Sequence, residues 1–285
     1  MAARPLLRYF GGKWRLAPWI IEHFPPHRMY IEPFAGAASV LIRKPRARVE
    51  VLGDIDGGIV RLFRVLRDPA KAEQLLRLVE LTPYSREEWD DTWSADTGDE
   101  IEDARRFILR SWASYGCSAS TKRSATGFRR CTRGRNGGSH PAMDWSRWPD
   151  AARDIVDRLR GVVIEREDAC DLVQRYDDPE ALHYIDPPYV HDSRARPDHQ
   201  YRHEMSDDDH RRLAQVLREC RGHVVVSGYR CDLYDDLFGG WPRYDKDSQV
   251  DGGRTKTESL WLAPHTAEAI PTQPLFLDRE MEALI

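Results

Sequence analysis

Short apolar segments alternate with helical segments at both ends of this chain of 285 residues, and this alternation limits the possible folds most strongly. Residues 49–52 have the pattern of a strand, and Leu62 and Leu66 then fall at helical spacing. Further strands are predicted at 162–165 and 182–185, each next to a helical segment. Strands that alternate with helices predict an α/β fold with a mainly parallel sheet.

The stretch 69–149 interrupts this alternation. Its first half is polar and mostly helical, whereas 116–143 is rich in Gly, Ser and Thr and has almost no aliphatic residues. Loops of this length are uncommon and are usually either functional or disordered. The sequence therefore predicts one α/β domain built from 1–68 and 150–285, with a mainly helical and loop domain inserted at 69–149.

The charges are unevenly distributed along the chain. The net charge of −4, by itself, argues against a nucleic-acid partner. However, no acidic residue lies between Asp103 and Asp144, and this window carries +9, which leaves −13 on the rest. Guanidinium groups on a flexible backbone suit phosphate, so the window predicts a polyanion contact, and a solvated loop without a partner is the alternative. The candidate phosphate contacts in the loop are Lys122, Arg123, Arg129, Arg130, Arg133 and Arg135.

Composition excludes several classes of protein. Hydrophobic residues make up 41% of the chain, enough to bury a core. No apolar run approaches the roughly 18 residues of a membrane helix, and no apolar leader opens the chain. The five cysteines are scattered, and Cys117, Cys131 and His140 lack paired zinc-ligand spacing. We therefore expect a protein of the cytoplasm, with no membrane contact and no metal.

The segment Asp186-Pro187-Pro188-Tyr189 directly follows an apolar strand. Two consecutive prolines cannot continue a strand ladder, so they hold the backbone rigid with free carbonyl groups. The Asp186 carboxylate, the Pro187 carbonyl and the Tyr189 ring could together bind a planar base that carries an amino group. A stiff turn with a helix-capping aspartate is the alternative interpretation.

Two further strand ends carry candidate binding residues. Phe34-Ala35-Gly36 follows a predicted strand, and Asp54 ends the next strand, 18 residues after Gly36. That spacing is close to the one at which an acidic residue binds ribose hydroxyls in nucleoside-binding α/β folds, although an aspartate at a strand end is often only a helix cap. The segment Phe10-Gly11-Gly12-Lys13 lacks the upstream glycine and the Ser or Thr of an ATP-binding loop, so ATPase chemistry is excluded.

Taken in order, these motifs resemble those of the Dam-type, D12 class of DNA adenine-N6 methyltransferases, particularly the phage-borne and restriction-associated members. The resemblance covers nearly the whole chain. It implies a Rossmann-like fold that binds S-adenosylmethionine, with the insertion as the target-recognition domain. The motifs that carry it are Tyr9-Phe10-Gly11-Gly12-Lys13, Glu32-Pro33-Phe34-Ala35-Gly36, Asp54-Ile55-Asp56, Asp186-Pro187-Pro188-Tyr189 and Val226-Ser227-Gly228-Tyr229.

Site roles follow from the resemblance, position by position. It implies catalytic roles for Asp186, Pro187 and Tyr189. Two positions depart from the family pattern, since Ala38 stands where a second glycine is usual and Asp56 where asparagine is usual. The residues implied to bind the methyl donor are Tyr9, Lys13, Phe34, Gly36, Asp54, Asp168 and Asp186.

The expected reaction is site-specific methyl transfer to N6 of an adenine flipped out of double-stranded DNA. A methyltransferase that acts on cytosine N4 or RNA, and a non-catalytic DNA-binding relative, are the alternatives. The expected protein is a monomer in the cytoplasm of a bacterium or a phage-infected host. A cognate restriction endonuclease is a candidate partner.

Overall fold

The computed structural model describes residues 4–116, 127–130, 140–190, 201–250 and 254–271. Within these residues, the strands are β1 (Met29–Glu32), β2 (Val49–Gly53), β3 (Val163–Glu165), β4 (Ala181–Ile185), β5 (His223–Gly228), β6 (Arg243–Val250) and β7 (Arg254–Leu262). They form one seven-stranded sheet in the order β3-β2-β1-β4-β5-β7-β6.

The sheet is mixed. Strands β1 to β5 pair in parallel, with Ile31 of β1 between Val51 of β2 and His183 of β4. These pairings confirm the predicted α/β fold. Strands β7 and β6 add an antiparallel hairpin next to β5. The sequence did not predict β6, because most of this edge strand is polar and exposed.

The helices begin where the sequence supplies capping groups. The Asp56 and Asp68 side chains each accept a backbone N–H in the first turn of a helix, and Ser206 forms a capping box with Asp209. No helix among the described residues is both long and apolar enough to cross a membrane. The helices are α1 (Ala17–Ile21), α2 (Ser39–Arg43), α3 (Gly57–Arg67), α4 (Pro69–Leu81), α5 (Arg86–Asp91), α6 (Glu100–Ala113), α7 (Pro141–Ser146), α8 (Trp148–Leu159), α9 (Ala169–Arg175), α10 (Asp207–Glu219), α11 (Asp232–Leu237) and α12 (Pro264–Glu268).

The helices of the predicted insertion share a hydrophobic core with the sheet. Leu76 of α4 and Phe107 of α6 belong to the same buried cluster as Tyr30 of β1 and Tyr184 of β4. Helices α4 and α6 both pack against α3, which follows β2 directly. The insertion is therefore continuous with the core of the sheet in its helical part, and its boundaries at 69–149 stay a prediction.

The basic window lies partly outside the described residues. Lys122, Arg123, Arg133 and Arg135 are not described, whereas Arg129 and Arg130 are. Arg130 is exposed, and the half-buried Arg129 lies 3.5 Å from a carboxylate oxygen of Asp144. Ser114 pairs with Phe128 in an antiparallel bridge at the start of the window's loop. The predicted loop 116–143 ends earlier than expected, because α7 begins at Pro141.

Candidate active site

A cavity of about 210 Å³ lies at the carboxyl ends of β1, β2 and β4. This is the edge at which α/β sheets bind their ligands. The structure brings most of the predicted site residues to this one cavity. Those that line its wall are Tyr9, Lys13, Phe34, Gly36, Asp54, Asp168, Asp186 and Pro187.

The turn after β1 brings the backbone close to the cavity. Gly36 has a φ of +47°, and a Cβ atom at this residue would lie 2.9 Å from the Tyr9 ring. Ala38 has a φ of +50°, in the left-handed region that glycine adopts more readily than alanine. The departure from the family pattern at Ala38 therefore places an L-side chain in the left-handed region, at a cost of about 1–2 kcal/mol.

Asp54 is held at the end of β2 by backbone donors. Its Oδ2 accepts a hydrogen bond of 3.0 Å from the Gly36 N–H, and its Oδ1 accepts one of 2.8 Å from the Asp56 N–H. Burial raises the pKa of Asp54 to about 7, against the opposing effect of these backbone N–H groups. The carboxyl group is therefore fixed at the cavity wall and close to its titration point at neutral pH.

Segment 201–205 forms the opposite wall of the cavity. The Phe10 and Tyr201 rings meet edge to face at 5.3 Å. Arg202 lies 3.4 Å from a carboxylate oxygen of Asp56. Asp56 thus links α3 to this wall, which is the local role of the residue that departs from the family's usual asparagine.

Asp168 lies at the rim of the cavity, where it performs two structural roles. Its Oδ1 accepts a hydrogen bond of 3.0 Å from the Cys170 N–H at the start of α9. Its Oδ2 accepts one of 2.7 Å from Arg212 on α10. Asp168 therefore fixes two helices against each other while it also lines the cavity.

Lys13 is the centre of a buried ion cluster. Its Nζ lies 2.8 Å from Asp186 Oδ1 and 3.2 Å from Glu258 Oε1, and it donates a hydrogen bond of 2.8 Å to the Tyr189 hydroxyl. Burial would lower the pKa of Lys13, but the carboxylates of Asp186 and Glu258 raise it well above its usual value. The ammonium group is therefore charged and connects the N-terminal turn with the Asp-Pro-Pro-Tyr segment.

Asp186 follows β4 and is fixed through one of its oxygens. Oδ1 receives both the Lys13 contact and a hydrogen bond of 2.8 Å from the Ser227 hydroxyl. Among the described residues, no hydrogen bond to Oδ2 is found, and the side chain is 18% exposed at the cavity wall. One oxygen thus sets the orientation of the carboxylate.

Tyr189 lies behind the cavity wall, and its ring is stacked on Tyr229 at 4.1 Å with an interplanar angle of 15°. The ammonium group of Lys13 lies 4.8 Å from the centroid of the same ring. Tyr189 is 5% exposed. In this structure, its neighbours are therefore protein side chains.

Sequence reasoning missed the roles of two buried carboxyl groups near Asp186. Glu32 lines the cavity and accepts hydrogen bonds from the Tyr30 hydroxyl and the Leu41 N–H. Burial raises the pKa of Glu32 to about 8. Burial also raises the pKa of Glu258, against the lowering effect of Lys13. Glu32 occurs in a quoted motif, but no motif signal pointed to Glu258.

A separate polar cluster lies towards the amino end of β4. The possible ligand atoms of Asp177, His183 and Cys220 lie within 4.8 Å of one another. Both carboxylate oxygens of Asp177 already accept hydrogen bonds from the turn at Arg221, and the Gly222 N–H also bonds to one of them. Burial lowers the pKa of His183 to about 4, so its ring is neutral at pH 7. Asp177 thereby fixes the turn that precedes β5.

The sheet order, the cavity at the carboxyl ends of the strands and the position of Asp186-Pro187-Pro188 on its wall define a Rossmann-like methyltransferase. Residues 9–251 match the family described as D12 class N6 adenine-specific DNA methyltransferase. The chain belongs to this family and is an adenine-specific DNA methyltransferase.

Known proteins with similar sequences agree with the family match. The Type II methyltransferase M.MjaIII of Methanocaldococcus jannaschii is 23% identical over 274 residues, which cover 85% of this chain and 90% of that protein. A DNA adenine methylase of Haemophilus influenzae is 37% identical over 65 residues, or 22% of each chain. The DNA adenine methylase of Escherichia coli K12 is 33% identical over 64 residues, or 22% of this chain and 23% of that one.

Proposed function

We propose that this enzyme methylates N6 of an adenine flipped out of double-stranded DNA, at specific sequences, with S-adenosylmethionine as the methyl donor. The observation that carries the proposal is the Asp186 carboxylate, which is fixed at Oδ1 by Lys13 and Ser227 and lies on the wall of the cavity. The backbone of Pro187 follows it on the same wall.

These groups suit the chemistry of an adenine amino group. The N6 lone pair is delocalised into the ring, which makes the nitrogen a poor nucleophile. In our mechanism, the Asp186 carboxylate and the Pro187 carbonyl oxygen each accept a hydrogen bond from N6, and this localises the lone pair on nitrogen. Asp186 then takes the proton that N6 loses after methylation. Positioning and preorganised charge account for most of the rate in such a site.

The cavity has groups that fit a nucleoside-like methyl donor. S-adenosylmethionine supplies an electrophilic methyl group when it is bound. We propose that Asp54 accepts hydrogen bonds from ribose hydroxyls, and its position at the end of β2 supports this role. Close backbone approach at Gly36 supports ligand contact there, together with Tyr9 and Phe34. Lys13 and Asp168 complete the proposed set.

For Tyr189 we propose a contact with the target base. An adenine inside a duplex cannot reach Asp186, so it must be flipped out, at a cost of a few kcal/mol. Base stacking on an aromatic ring offsets part of that cost. Because Tyr229 covers one face of the Tyr189 ring and Tyr189 is 5% exposed, a base that stacks on Tyr189 would have to displace Tyr229 or the side chains on the opposite face.

For the insertion, 69–149, we propose that it recognises the target, and that its basic loop contacts phosphate. Replacement of Arg129, Arg130, Arg133 and Arg135 by Ala should weaken DNA binding and flatten its salt dependence, by a slope of about 0.9 for each lost phosphate contact. Filter binding between 50 and 200 mM salt measures both quantities. Unchanged affinity and slope would contradict the phosphate contacts. A cytoplasmic monomer, with a restriction endonuclease as a candidate partner, completes the proposal.

Transfer of tritium from S-adenosylmethionine to duplex DNA tests the reaction. We expect label in N6-methyladenine after hydrolysis of the DNA, and none with Asp186→Ala. The control is Asp68→Ala, which removes an exposed cap of α4 and costs about 1 kcal/mol of stability without loss of activity. Label in cytosine or RNA would favour an alternative acceptor. Full activity of Asp186→Ala would contradict the catalytic role.

A further inference from the structure

Glu258 is a buried carboxylate that no motif of the chain points to. It lies on β7, one residue before Ser259, which pairs with Gly228 at the carboxyl end of β5. The antiparallel direction of β7 therefore brings the middle of this strand to the edge of the sheet where the cavity lies. Glu258 is 1% exposed.

Both oxygens of Glu258 face members of the proposed active site. Oε1 lies 3.2 Å from Lys13 Nζ, and Oε2 accepts a hydrogen bond of 3.4 Å from the Tyr189 hydroxyl. Lys13 in turn contacts Asp186 at 2.8 Å. Glu258 thus reaches Asp186 through Lys13 and reaches the end of the Asp-Pro-Pro-Tyr segment through Tyr189.

The charges of this cluster do not balance when both carboxylates are ionised. One ammonium group, on Lys13, lies between the carboxylates of Asp186 and Glu258, and the three groups then carry a net charge of −1. Without Glu258, Lys13 and Asp186 would form a neutral pair, and Asp186 would be a weaker acceptor. Fixed negative charge stabilises the positive charge that develops on an amino group as it is alkylated.

A stabilising role alone is a weak explanation for Glu258. Removal of two charges from water costs several kcal/mol per ion, and apolar residues of similar volume often stabilise a core as well or better. The position is nevertheless filled by a carboxylate next to the cavity wall. A role in the reaction accounts for that residue type.

We propose that Glu258 is a positioning residue for methyl transfer, which holds Lys13 and Tyr189 in place and keeps the charge around Asp186 negative. This inference rests on the proposed function. It predicts that Glu258 affects the rate of the chemical step more than the binding of either substrate.

The test is Glu258→Gln in the full chain, because glutamine keeps the shape and the hydrogen-bonding oxygen but removes the charge. We expect kcat for tritium transfer to fall roughly tenfold to a hundredfold. The KM values for DNA and S-adenosylmethionine should stay within about twofold, since glutamine keeps a side chain of the same shape beside Lys13 and Tyr189 and only the charge is lost. The folded fraction is measured by urea unfolding, and kcat is given per folded molecule.

Glu50→Gln is the matched control. Glu50 is also buried, at 3% exposed against 1% for Glu258, but its ion pairs are with Lys44 and Arg158 rather than with members of the proposed active site. The variant Glu50→Gln should be less stable than wild type but should keep the wild-type kcat per folded molecule. A wild-type kcat in Glu258→Gln, or an effect confined to KM or to the folded fraction, would overturn the inference alone. A wild-type protein that transfers no label to DNA would overturn the proposed function, and this inference with it.

Discussion

Two buried clusters of three charged side chains lie at opposite ends of the same sheet. At the amino end of β2, Glu50 accepts hydrogen bonds from Lys44 at 3.0 Å and from Arg158 at 2.8 Å. At the carboxyl ends of the strands, Lys13 lies between the carboxylates of Asp186 and Glu258. The first cluster has two cations and one carboxylate, and the second has the reverse.

The two clusters differ in charge and also in how completely their carboxylates are bound and buried. Both Glu50 oxygens are bound, Oε1 also accepts the Ala47 N–H, and the side chain is 3% exposed. Asp186 is 18% exposed and is held through one oxygen. Arg158 and Lys44 lower the pKa of Glu50 despite its burial, so this carboxylate is ionised. We call the cluster of Glu50, Lys44 and Arg158 closed and the cluster of Lys13, Asp186 and Glu258 open. The closed cluster can only stabilise the fold, whereas the open cluster can also act on a ligand.

The largest expected effect on stability is at the closed cluster. Glu50→Gln leaves two buried cations without an anion, and loss of one partner of a buried pair costs about 3–5 kcal/mol. Urea unfolding should show this loss, while kcat per folded molecule stays at the wild-type value. A fall in kcat per folded molecule would show that the cluster around Glu50 also affects the reaction.

Glu32 lies between the clusters and gives the next largest effect. Burial and Asp186 raise its pKa to about 8, with Lys44 as an opposing influence. Because the folded state holds this proton more tightly than the unfolded state, stability is highest below the unfolded pKa and falls as the pH rises towards 8. One pKa unit corresponds to about 1.4 kcal/mol, so the expected loss between pH 5 and 8.5 is on the order of 4 kcal/mol.

Glu32→Gln should remove most of that loss, since glutamine cannot ionise and can still accept from Tyr30 and Leu41 through one oxygen. The measurement is the free energy of unfolding of wild type and of Glu32→Gln at pH 5 and at pH 8.5. Glu50→Gln is the control, because the lowered pKa of Glu50 changes stability only below its unfolded pKa, so this variant should keep the wild-type loss between pH 5 and 8.5. If the free energy of unfolding falls by the same amount between pH 5 and 8.5 in wild type and in Glu32→Gln, Glu32 does not hold a proton in the folded state.

The sequence predicted the parallel strands and the family, because apolar periodicity and short motifs such as Asp186-Pro187-Pro188-Tyr189 are local signals. It did not predict β6, whose polar residues are exposed, or the role of Glu258, which lies far from Lys13 along the chain and follows no motif. The stacking of Tyr189 on Tyr229 is also a tertiary contact. Pairings of this kind depend on the strand order, which the spacing of residues does not specify.

The smallest expected effect is at Ser227, within the open cluster. Its hydroxyl donates to Asp186 Oδ1 at 2.8 Å and lies 2.9 Å from the Tyr184 hydroxyl. Ser227→Ala removes one of the two contacts that orient Asp186 and leaves Lys13 in place. A hydrogen bond to a charged group contributes about 1.5–3 kcal/mol, and 1.4 kcal/mol is about tenfold in rate. Because Lys13 still holds Oδ1 in the variant, we expect less than half of that energy to be lost from the transition state, so kcat should fall about threefold to tenfold.

Tyr184→Phe is the control for Ser227→Ala, because it removes the other hydroxyl of the pair and leaves the Ser227–Asp186 contact intact. Both variants should lose about 1 kcal/mol of stability, but only Ser227→Ala should lose activity per folded molecule. Equal losses of activity in the two variants would mean that packing behind β4, rather than the orientation of Asp186, limits the rate. The open cluster would then differ from the closed one in its charge but not in its function.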